Sequence, residues 1–364
     1  MRRTKMGKNQ VKPLTEGAAR DERSLDDLMM ELNHHYYGRK KRDDLLKAEV
    51  ERLRKRIKFQ MDAASGSLVG EMAEGRILAL LGESGAGKTR SLTRIFKKFP
   101  ELLGKPEAGR ERYLISIKAP SPCLPRLIAE RILRAVGYPI QKELAENVAW
   151  NLVTQYLPAC GVRLVHIDEF QHVSQRNDAL QRQKVRDSMK DVMQIPDFPV
   201  SFVVSGLPEI AEFLQPDRQI KRRTRTIVFH PLSYERDRSF LETMISNYVC
   251  RAGIEADFGG EFVKRLIHAA SSQTGIFIEY LLEGIEQALL LDRNVLDNRC
   301  LEDVYAIRSG CLPDQNVFTA KNWRSIDVEQ SIGKYDDSEF VEWDDVDIEE
   351  DSDTAAKPRV RRNS

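Results

Sequence analysis

The sequence has few cysteines and no long apolar run, and these two absences exclude several classes of protein. The five cysteines are scattered along the chain without CxxC spacing, which indicates thiols in a reducing cytoplasm rather than a zinc site or a disulfide framework. No apolar run reaches the roughly 18 residues that a membrane-spanning helix needs, and the first ten residues lack the apolar core of a signal peptide. We therefore expect a cytoplasmic protein with no membrane partner.

Net charge is nearly absent as well, at +1, but the two ends of the chain have opposite signs. Residues 1–60 carry 17 Lys and Arg against 10 Asp and Glu, and they predict a basic N-terminal arm, partly disordered and helical from about residue 25. That helix either docks on the main domain or contacts nucleic acid. Residues 313–364 predict an acidic, disordered tail, since 11 of the 19 residues from 335 to 353 are acidic and none is basic. With Phe340 and Trp343, this segment either docks on a basic partner or only improves solubility.

Between the ends, short apolar runs alternate with helical patterns. The runs cover residues 76–82, 112–117, 162–170, 200–206 and 226–230, and such runs are typical of strands buried on both faces of a parallel sheet. They predict an α/β domain over residues 61–232, with a parallel five-stranded sheet between helices. After residue 230 the strand signals stop. Three apolar stripes at helical spacing predict a small helical lid domain over residues 233–312.

Residues 82–89 read GESGAGKT, a complete GxxxxGK[ST] phosphate-binding loop, placed between a strand and a helix. Its glycines let successive backbone N–H groups face the phosphates of ATP, and the following helix adds the positive end of its dipole. Lys88 would contact the terminal phosphates, and Thr89 would bind Mg²⁺. The predicted nucleotide-binding residues are Gly82, Glu83, Ser84, Gly85, Ala86, Gly87, Lys88 and Thr89.

A second motif, RLVHIDE, is an apolar strand that ends in Asp168 and Glu169. Asp168 would hold Mg²⁺ through water, and Glu169 would orient and deprotonate the water that attacks ATP. Lys88 and Asp168 are 80 residues apart, with a strand between them in the sequence. This separation favours a hydrolytic ATPase in which another strand lies between the two motif strands. The helical domain that follows is typical of an AAA+ module.

Two further segments fit that module. The strand at 200–206 ends in Ser205, which would act as a polar sensor of the γ-phosphate or the attacking water, or else is only a small turn residue. Arg222 and Arg223 precede the fifth strand, at an edge that faces the neighbouring subunit's nucleotide in AAA+ rings. One of them would stabilise the transition state in trans as an arginine finger, although a solvated or DNA-facing basic cluster is the alternative.

The chain from about residue 36 to 291 resembles the TniB/TnsC group of AAA+ ATPases that regulate DNA transposition, and TniB most of all. The resemblance rests on LLGESGAGKTRSLTRIF, LVHIDEFQHV, VVSGLPEI and QIKRRTRTIVFHPL. It implies a homo-oligomeric ring or filament that assembles on double-stranded DNA with ATP. It also implies that the assembly receives a TniQ-type target selector, recruits the transposase and is reset by hydrolysis of ATP to ADP and phosphate. The same resemblance supports the roles given above to Lys88, Asp168 and Glu169.

The sequence departs from the AAA+ pattern at one position, and two other functions are also compatible with it. The third lid helix begins TGIFIEYLLEG, without the arginine that many AAA+ lids direct at the γ-phosphate, so we expect slow hydrolysis. DNA contact would come from local basic residues, namely Lys40, Lys41 and Lys118, without sequence preference. The alternatives are an ExeA-like AAA+ ATPase of secretion and a nucleotide-switch scaffold that hydrolyses little.

Overall fold

A five-stranded parallel sheet forms the centre of the larger domain. The computed structural model describes residues 24–35, 38, 40–64, 74–103, 113–175 and 178–328. The sheet strands are β1 (Ile77–Leu81), β2 (Leu114–Lys118), β3 (Leu164–Asp168), β4 (Ser201–Gly206) and β5 (Thr224–Val228). Their order across the sheet is β2-β3-β4-β1-β5, and every neighbouring pair is parallel. The predicted parallel sheet is therefore confirmed, with β4 between the two motif strands.

Helices cover both faces of this sheet. They are α3 (Lys88–Phe96), α4 (Pro100–Leu103), α5 (Pro125–Ala135), α6 (Glu146–Ala159), α7 (His172–Gln175), α8 (Ala179–Met193), α9 (Ile210–Leu214) and α10 (Arg218–Arg223). Alternate strand residues face opposite sides: Ile77 and Ala79 join a core with α5, α6 and α8, whereas Leu78 and Leu80 join a second core with α3. The result is a three-layer α/β domain.

The N-terminal segment forms two helices rather than one, and each packs on a different part of the protein. These helices are α1 (Leu25–His34) and α2 (Lys40–Ala64). Along α2, Leu46, Val50, Leu53 and Ile57 are buried against the same face of the sheet as α3. The residues of α1 instead join the core of the C-terminal helical domain. The basic helix at 40–60 is thus docked on the ATPase core. Residues 1–23 of the predicted arm lie outside the described residues.

The C-terminal region is helical, as the sequence predicts, but it is larger than the sequence suggests. Its elements are α11 (Tyr234–Ala252), β6 (Glu255–Ala256), α12 (Phe262–Ala269), α13 (Thr274–Leu290), β7 (Val295–Leu296) and α14 (Asn298–Ser309), followed by 3-10 turns at Pro313–Gln315 and Trp323–Ser325. Helix α14 is not among the three predicted helices. Phe318 and Trp323 are buried in the lid core, so residues 313–328 pack on the lid and the tail boundary predicted at 313 is too early.

The acidic segment 335–353, with Phe340 and Trp343, lies outside the described residues. Among the helices that are described, none is both long and apolar enough to cross a membrane.

Candidate nucleotide site and its surroundings

The phosphate-binding loop leaves the end of β1 and enters α3 directly. Gly85 and Gly87 have φ values of 75° and 85°, a left-handed backbone that glycine adopts without steric cost. Gly87 is the N-cap of α3, so the first N–H groups of the helix have no partner within it and are available to an anion. A Cβ on Gly82 would lie 2.8 Å from Phe229 Cβ, which explains a glycine there. The loop is therefore shaped to receive phosphates.

Lys88 is the buried cation of this loop. Its ammonium donates hydrogen bonds to the carbonyl oxygens of Gly82 at 2.7 Å and Glu83 at 2.9 Å. Burial lowers the pKa of Lys88, while the carboxylates of Glu169, Asp168 and Glu83 act in the opposite direction. A desolvated ammonium held only by neutral carbonyls gains more from a phosphate anion than from its present partners.

A chain of hydrogen bonds crosses three strands behind the loop. The hydroxyl of Thr89 donates to Asp168 Oδ2 at 2.8 Å, and that of Ser205 donates to Asp168 Oδ1 at 2.5 Å. Ser205 is itself 2.9 Å from His166 Nε2, and Ser116 Oγ on β2 is 2.7 Å from His166 Nδ1. The chain thus joins β2, β3, β4 and the start of α3 at the candidate magnesium residue.

The direction of these bonds follows from charge and burial. Burial lowers the pKa of His166 to about 4, although Asp168 acts to raise it, so the imidazole is neutral at pH 7. The Ser205 hydroxyl donates its only proton to Asp168, so its oxygen accepts a hydrogen bond from His166 Nε2–H. The other ring nitrogen, Nδ1, then carries no proton and accepts from the Ser116 hydroxyl. Burial also opposes ionisation of Asp168, but hydrogen bonds from Ser205 and Thr89 outweigh it and hold the pKa of Asp168 below its ordinary value.

Glu169 is held next to this chain in an unusual backbone conformation. Its φ is 55°, a left-handed value that is rare for a residue with a side chain and is common at functional sites. The amide of Gln171 donates to the Glu169 carboxylate, and Gln171 Oε1 accepts from the Leu207 N–H at 3.2 Å. Gln171 therefore connects the candidate base to the end of β4.

The lid reaches the phosphate-binding loop through backbone atoms. The Gly275 N–H donates to the Gly85 carbonyl at 2.6 Å, and a Cβ on Gly275 would lie 2.5 Å from that oxygen. Gly275 lies in the first turn of α13. The lid thus contacts the loop through the backbone of a glycine.

The N-terminal segment also joins the lid to the nucleotide helix. Arg90, in the first turn of α3, donates to the carbonyls of Asn33 and His35. Tyr248 of α11 donates its hydroxyl proton to the same His35 carbonyl at 3.0 Å. The C-terminal end of α1 therefore bridges the helix that carries Lys88 and the lid.

The two candidate finger arginines lie at the far end of the sheet. Thr224, the residue after them, pairs with Ile77 at the start of β1, so about 13 Å of strand separates them from the loop of their own chain. The Arg222 side chain is 71% exposed and lies 3.5 Å from Glu74. Arg223 is 2% exposed and bonded to Glu74 at 2.5 Å. Only Arg222 has a side chain accessible to another subunit.

The candidate DNA residues do not form one cluster. Lys118 is exposed at the end of β2, and Lys41 is exposed at the start of α2, while the side chain of Lys40 lies outside the described part of the chain. Several neighbouring arginines are already engaged by the core: Arg42 lies 4.2 Å above the Phe229 ring, and Arg54 pairs with Glu101.

The residues present fit ATP and Mg²⁺. The loop offers helix N–H groups and one buried ammonium, and the facing hydroxyl of Thr89 and carboxylate of Asp168 are the oxygen ligands that Mg²⁺ prefers.

Comparisons with known proteins found one family model and several solved structures. The family model described as "Bacterial TniB protein" matches residues 67–234. No curated protein matches the chain. Among solved structures, the Aeropyrum pernix ORC1 protein in complex with DNA is similar at 18% identity, with 72% of this chain and 66% of that chain covered and a TM-score of 0.48.

Two further solved structures show the same kind of similarity. Drosophila ORC bound to DNA has 12% identity, with 86% of this chain and 72% of that chain covered and a TM-score of 0.49. The Thermotoga maritima RuvB Holliday junction branch migration motor has 12% identity, with 72% and 70% covered and a TM-score of 0.37. The chain spans about two thirds of the length of the Aeropyrum protein. All three TM-scores are below 0.5.

Proposed function

The family model described as "Bacterial TniB protein" matches residues 67–234, and on this basis we propose that the protein is a TniB-type, ATP-dependent regulator of DNA transposition. In this proposal the ATP-bound chain oligomerises on target DNA in the bacterial cytoplasm, links a TniQ-type target selector to the transposase, and is reset by ATP hydrolysis. The observation that carries the proposal is the nucleotide site itself, in which Lys88, Thr89, Asp168 and Glu169 converge within the matched region.

ATP would bind with its phosphates in the loop between β1 and α3. The ammonium of Lys88 would exchange the carbonyls of Gly82 and Glu83 for oxygens of the β- and γ-phosphates. Thr89 would hold Mg²⁺ directly and Asp168 through water. Mg²⁺, when bound, supplies positive charge that neutralises the phosphate oxygens. Asp168 is already ionised and oriented for this role by Thr89 and Ser205.

Hydrolysis would use Glu169 as the base that orients and deprotonates the attacking water. Gln171 acts as a positioning residue. Its side-chain NH₂ donates to the Glu169 carboxylate, and its side-chain oxygen accepts from the Leu207 N–H just after β4. Ser205 donates its proton to Asp168 and is fully buried. We therefore assign it to positioning of Asp168 rather than to direct contact with the γ-phosphate.

The neighbouring subunit would complete the site through Arg222. Its position at the start of β5 is too far from its own loop for it to act there, and its exposed guanidinium can reach outwards. Arg223 is buried against Glu74 and has a supporting role. A finger acting in trans makes hydrolysis depend on assembly, which is the behaviour that a DNA-assembled regulator needs.

Contact with DNA would be weak for one subunit and strong for an assembly. Lys41 and Lys118 are exposed, and a few phosphate contacts per subunit give salt-sensitive binding with little sequence preference. Aligning many subunits along one duplex multiplies these contacts. ATP-dependent oligomerisation would therefore switch DNA binding on.

The bridging role can be tested by capture on immobilised duplex DNA. The purified chain is added with a non-hydrolysable ATP analogue, the TniQ-type selector and the transposase of the same element. We expect the duplex to retain the transposase with the wild-type chain and with Lys97→Ala, which alters an exposed lysine at the far end of α3, but not with Lys88→Ala. Retention that is equal with Lys88→Ala, or without nucleotide, would contradict the proposal.

A further inference from the structure

A cavity rich in arginine lies at the end of the sheet opposite the nucleotide site. It has a volume of about 360 Å³ and opens between α2 and the starts of β1 and β5. We call it the arginine cavity. The arginines that line it are Arg52, Arg56, Arg76, Arg222, Arg223 and Arg225. Its size is within the range of small ligand sites, and none of the nucleotide-binding residues contributes to it.

The positive charge of the arginine cavity is only partly neutralised. Two carboxylates form ion pairs with four of the arginines. Glu49 pairs with Arg52 at 3.1 Å and with Arg225 at 3.0 Å. Glu74 pairs with Arg222 and Arg223. Within the described residues, no carboxylate lies within ion-pair distance of the other two, Arg56 and Arg76.

Two arginines of the cavity, the buried Arg223 and the half-buried Arg56, are only partly satisfied by the residues around them. Arg223 is 2% exposed, and its Nε and Nη1 atoms have no hydrogen-bond partner among the described residues. Buried polar groups without partners are rare and costly in proteins. Burial also lowers the pKa of Arg56, the like charge of Arg76 lowers it further, and Glu74 acts to raise it. An anionic ligand would supply hydrogen-bond acceptors to Arg223 and would offset the like charges of Arg56 and Arg76.

The floor of the arginine cavity is apolar, and this property selects among anions. Leu53, Ile77 and Leu78 are the apolar residues that line it. A ligand with carboxylates and an aromatic ring would match both parts, because guanidinium groups bind carboxylates in bidentate fashion and stack on aromatic faces. A DNA backbone has the charge but not the apolar group.

We propose that the arginine cavity binds the acidic segment 335–353 of the same molecule, with Phe340 or Trp343 on its apolar floor. This segment has 11 acidic residues, no basic residue, and both aromatic side chains set among carboxylates. It follows the last described residue, Val328, by only a few positions. The 15 residues from Val328 to Trp343 can span up to about 50 Å when extended, which is about the diameter of a domain of this size.

The docked segment would cover Arg222. The binding itself does not depend on ATP hydrolysis or on DNA, so it can be tested separately.

The test is photo-cross-linking of the full-length chain with p-benzoylphenylalanine at position 340, without nucleotide or DNA. We expect cross-links to peptides that contain Leu53, Ile77 or Thr224, with a yield independent of protein concentration. The Arg52→Gln/Arg76→Gln variant should lower that yield about tenfold, the effect of losing roughly 1.4 kcal/mol of binding. The Arg238→Gln/Arg324→Gln variant removes two exposed lid arginines that are likewise ion-paired, and it should leave the yield unchanged. Thermal melting checks that both variants fold.

Three results would overturn the proposal. The first is cross-linking to other surfaces or only between molecules. The second is a yield that the Arg52→Gln/Arg76→Gln variant does not change. The third is the absence of cross-links at the arginine cavity together with weaker duplex binding by that variant, which would assign the cavity to a DNA backbone instead.

Discussion

Acid should destabilise the protein through one buried histidine on β3. His166 is 3% exposed, and its pKa of about 4 is well below the ordinary value of 6.5 because burial disfavours the imidazolium. Between these two values the unfolded chain binds a proton that the folded chain does not. The free energy of unfolding should therefore fall as the pH drops from 6.5 towards 4. The slope approaches 1.4 kcal/mol per pH unit, and the loss is about 3 kcal/mol in all.

The structure explains why the folded protein resists this proton. His166 Nδ1 accepts the hydroxyl proton of Ser116, and Nε2 donates to Ser205, whose own proton is used on Asp168. Protonation of Nδ1 would oblige Ser116 to turn its hydroxyl and accept instead of donate, and it would place a positive charge on a buried ring. Nε2 would still donate to Ser205, so the main cost is the burial of that charge.

Urea unfolding at several pH values between 4 and 8 measures this effect. The His166→Gln variant can still donate to Ser205 but cannot titrate, so its stability should depend less on pH by about 3 kcal/mol over the range. The matched control is His230→Gln, which alters an exposed histidine and should keep the wild-type dependence. Parallel curves for wild type and His166→Gln would refute the assignment of a neutral, buried imidazole.

The remaining predictions concern the nucleotide. Lys88→Ala should weaken ATP binding in calorimetry about 10- to 100-fold, since a charged hydrogen-bond donor is lost. Glu169→Gln should bind ATP normally but hydrolyse it at least about 100-fold more slowly in a phosphate-release assay. Gly275→Ala would place a Cβ 2.5 Å from the Gly85 carbonyl, so it should displace the lid and lower ATP affinity several-fold; unchanged affinity would show that this contact is dispensable. Mixing Arg222→Ala with Lys88→Ala should partly restore ATPase activity, and no rescue at any ratio would argue against a finger in trans.

Most of the fold could be predicted because its signals are local. The apolar runs mark the five strands to within a few residues, and the Gly-Lys-Thr sequence marks the start of α3. The break between α1 and α2 could not be predicted in this way. It lies where Arg90 and Tyr248 bind the carbonyl of His35, and those partners come from distant parts of the chain. The fourth lid helix and the packed residues 313–328 depend on the same kind of tertiary contact.

Some residues of the candidate site could likewise be predicted from the sequence, and others could not. Lys88 and Asp168 follow from motifs whose spacing carries the chemistry. His166, Gln171 and Gly275 do not, because their contacts depend on which strands are neighbours and on where the lid packs. One signal was present in the sequence: His166 is a polar residue within an apolar strand, and a buried polar residue is more informative than a buried apolar one. Ser205 was found from its position, but its partner, Asp168, required the structure.

The central claim is that ATP switches on assembly along duplex DNA, and fluorescence anisotropy of a labelled duplex tests it most directly. The chain is titrated with ATP, a non-hydrolysable analogue or ADP, at several salt concentrations and on duplexes of two unrelated sequences. We expect binding with ATP and with the analogue, little with ADP, a steep loss with salt, and similar affinities for both sequences. The Lys88→Ala variant should bind poorly under every condition. Absence of binding at low salt with the analogue, or equal binding with ADP, would contradict the account.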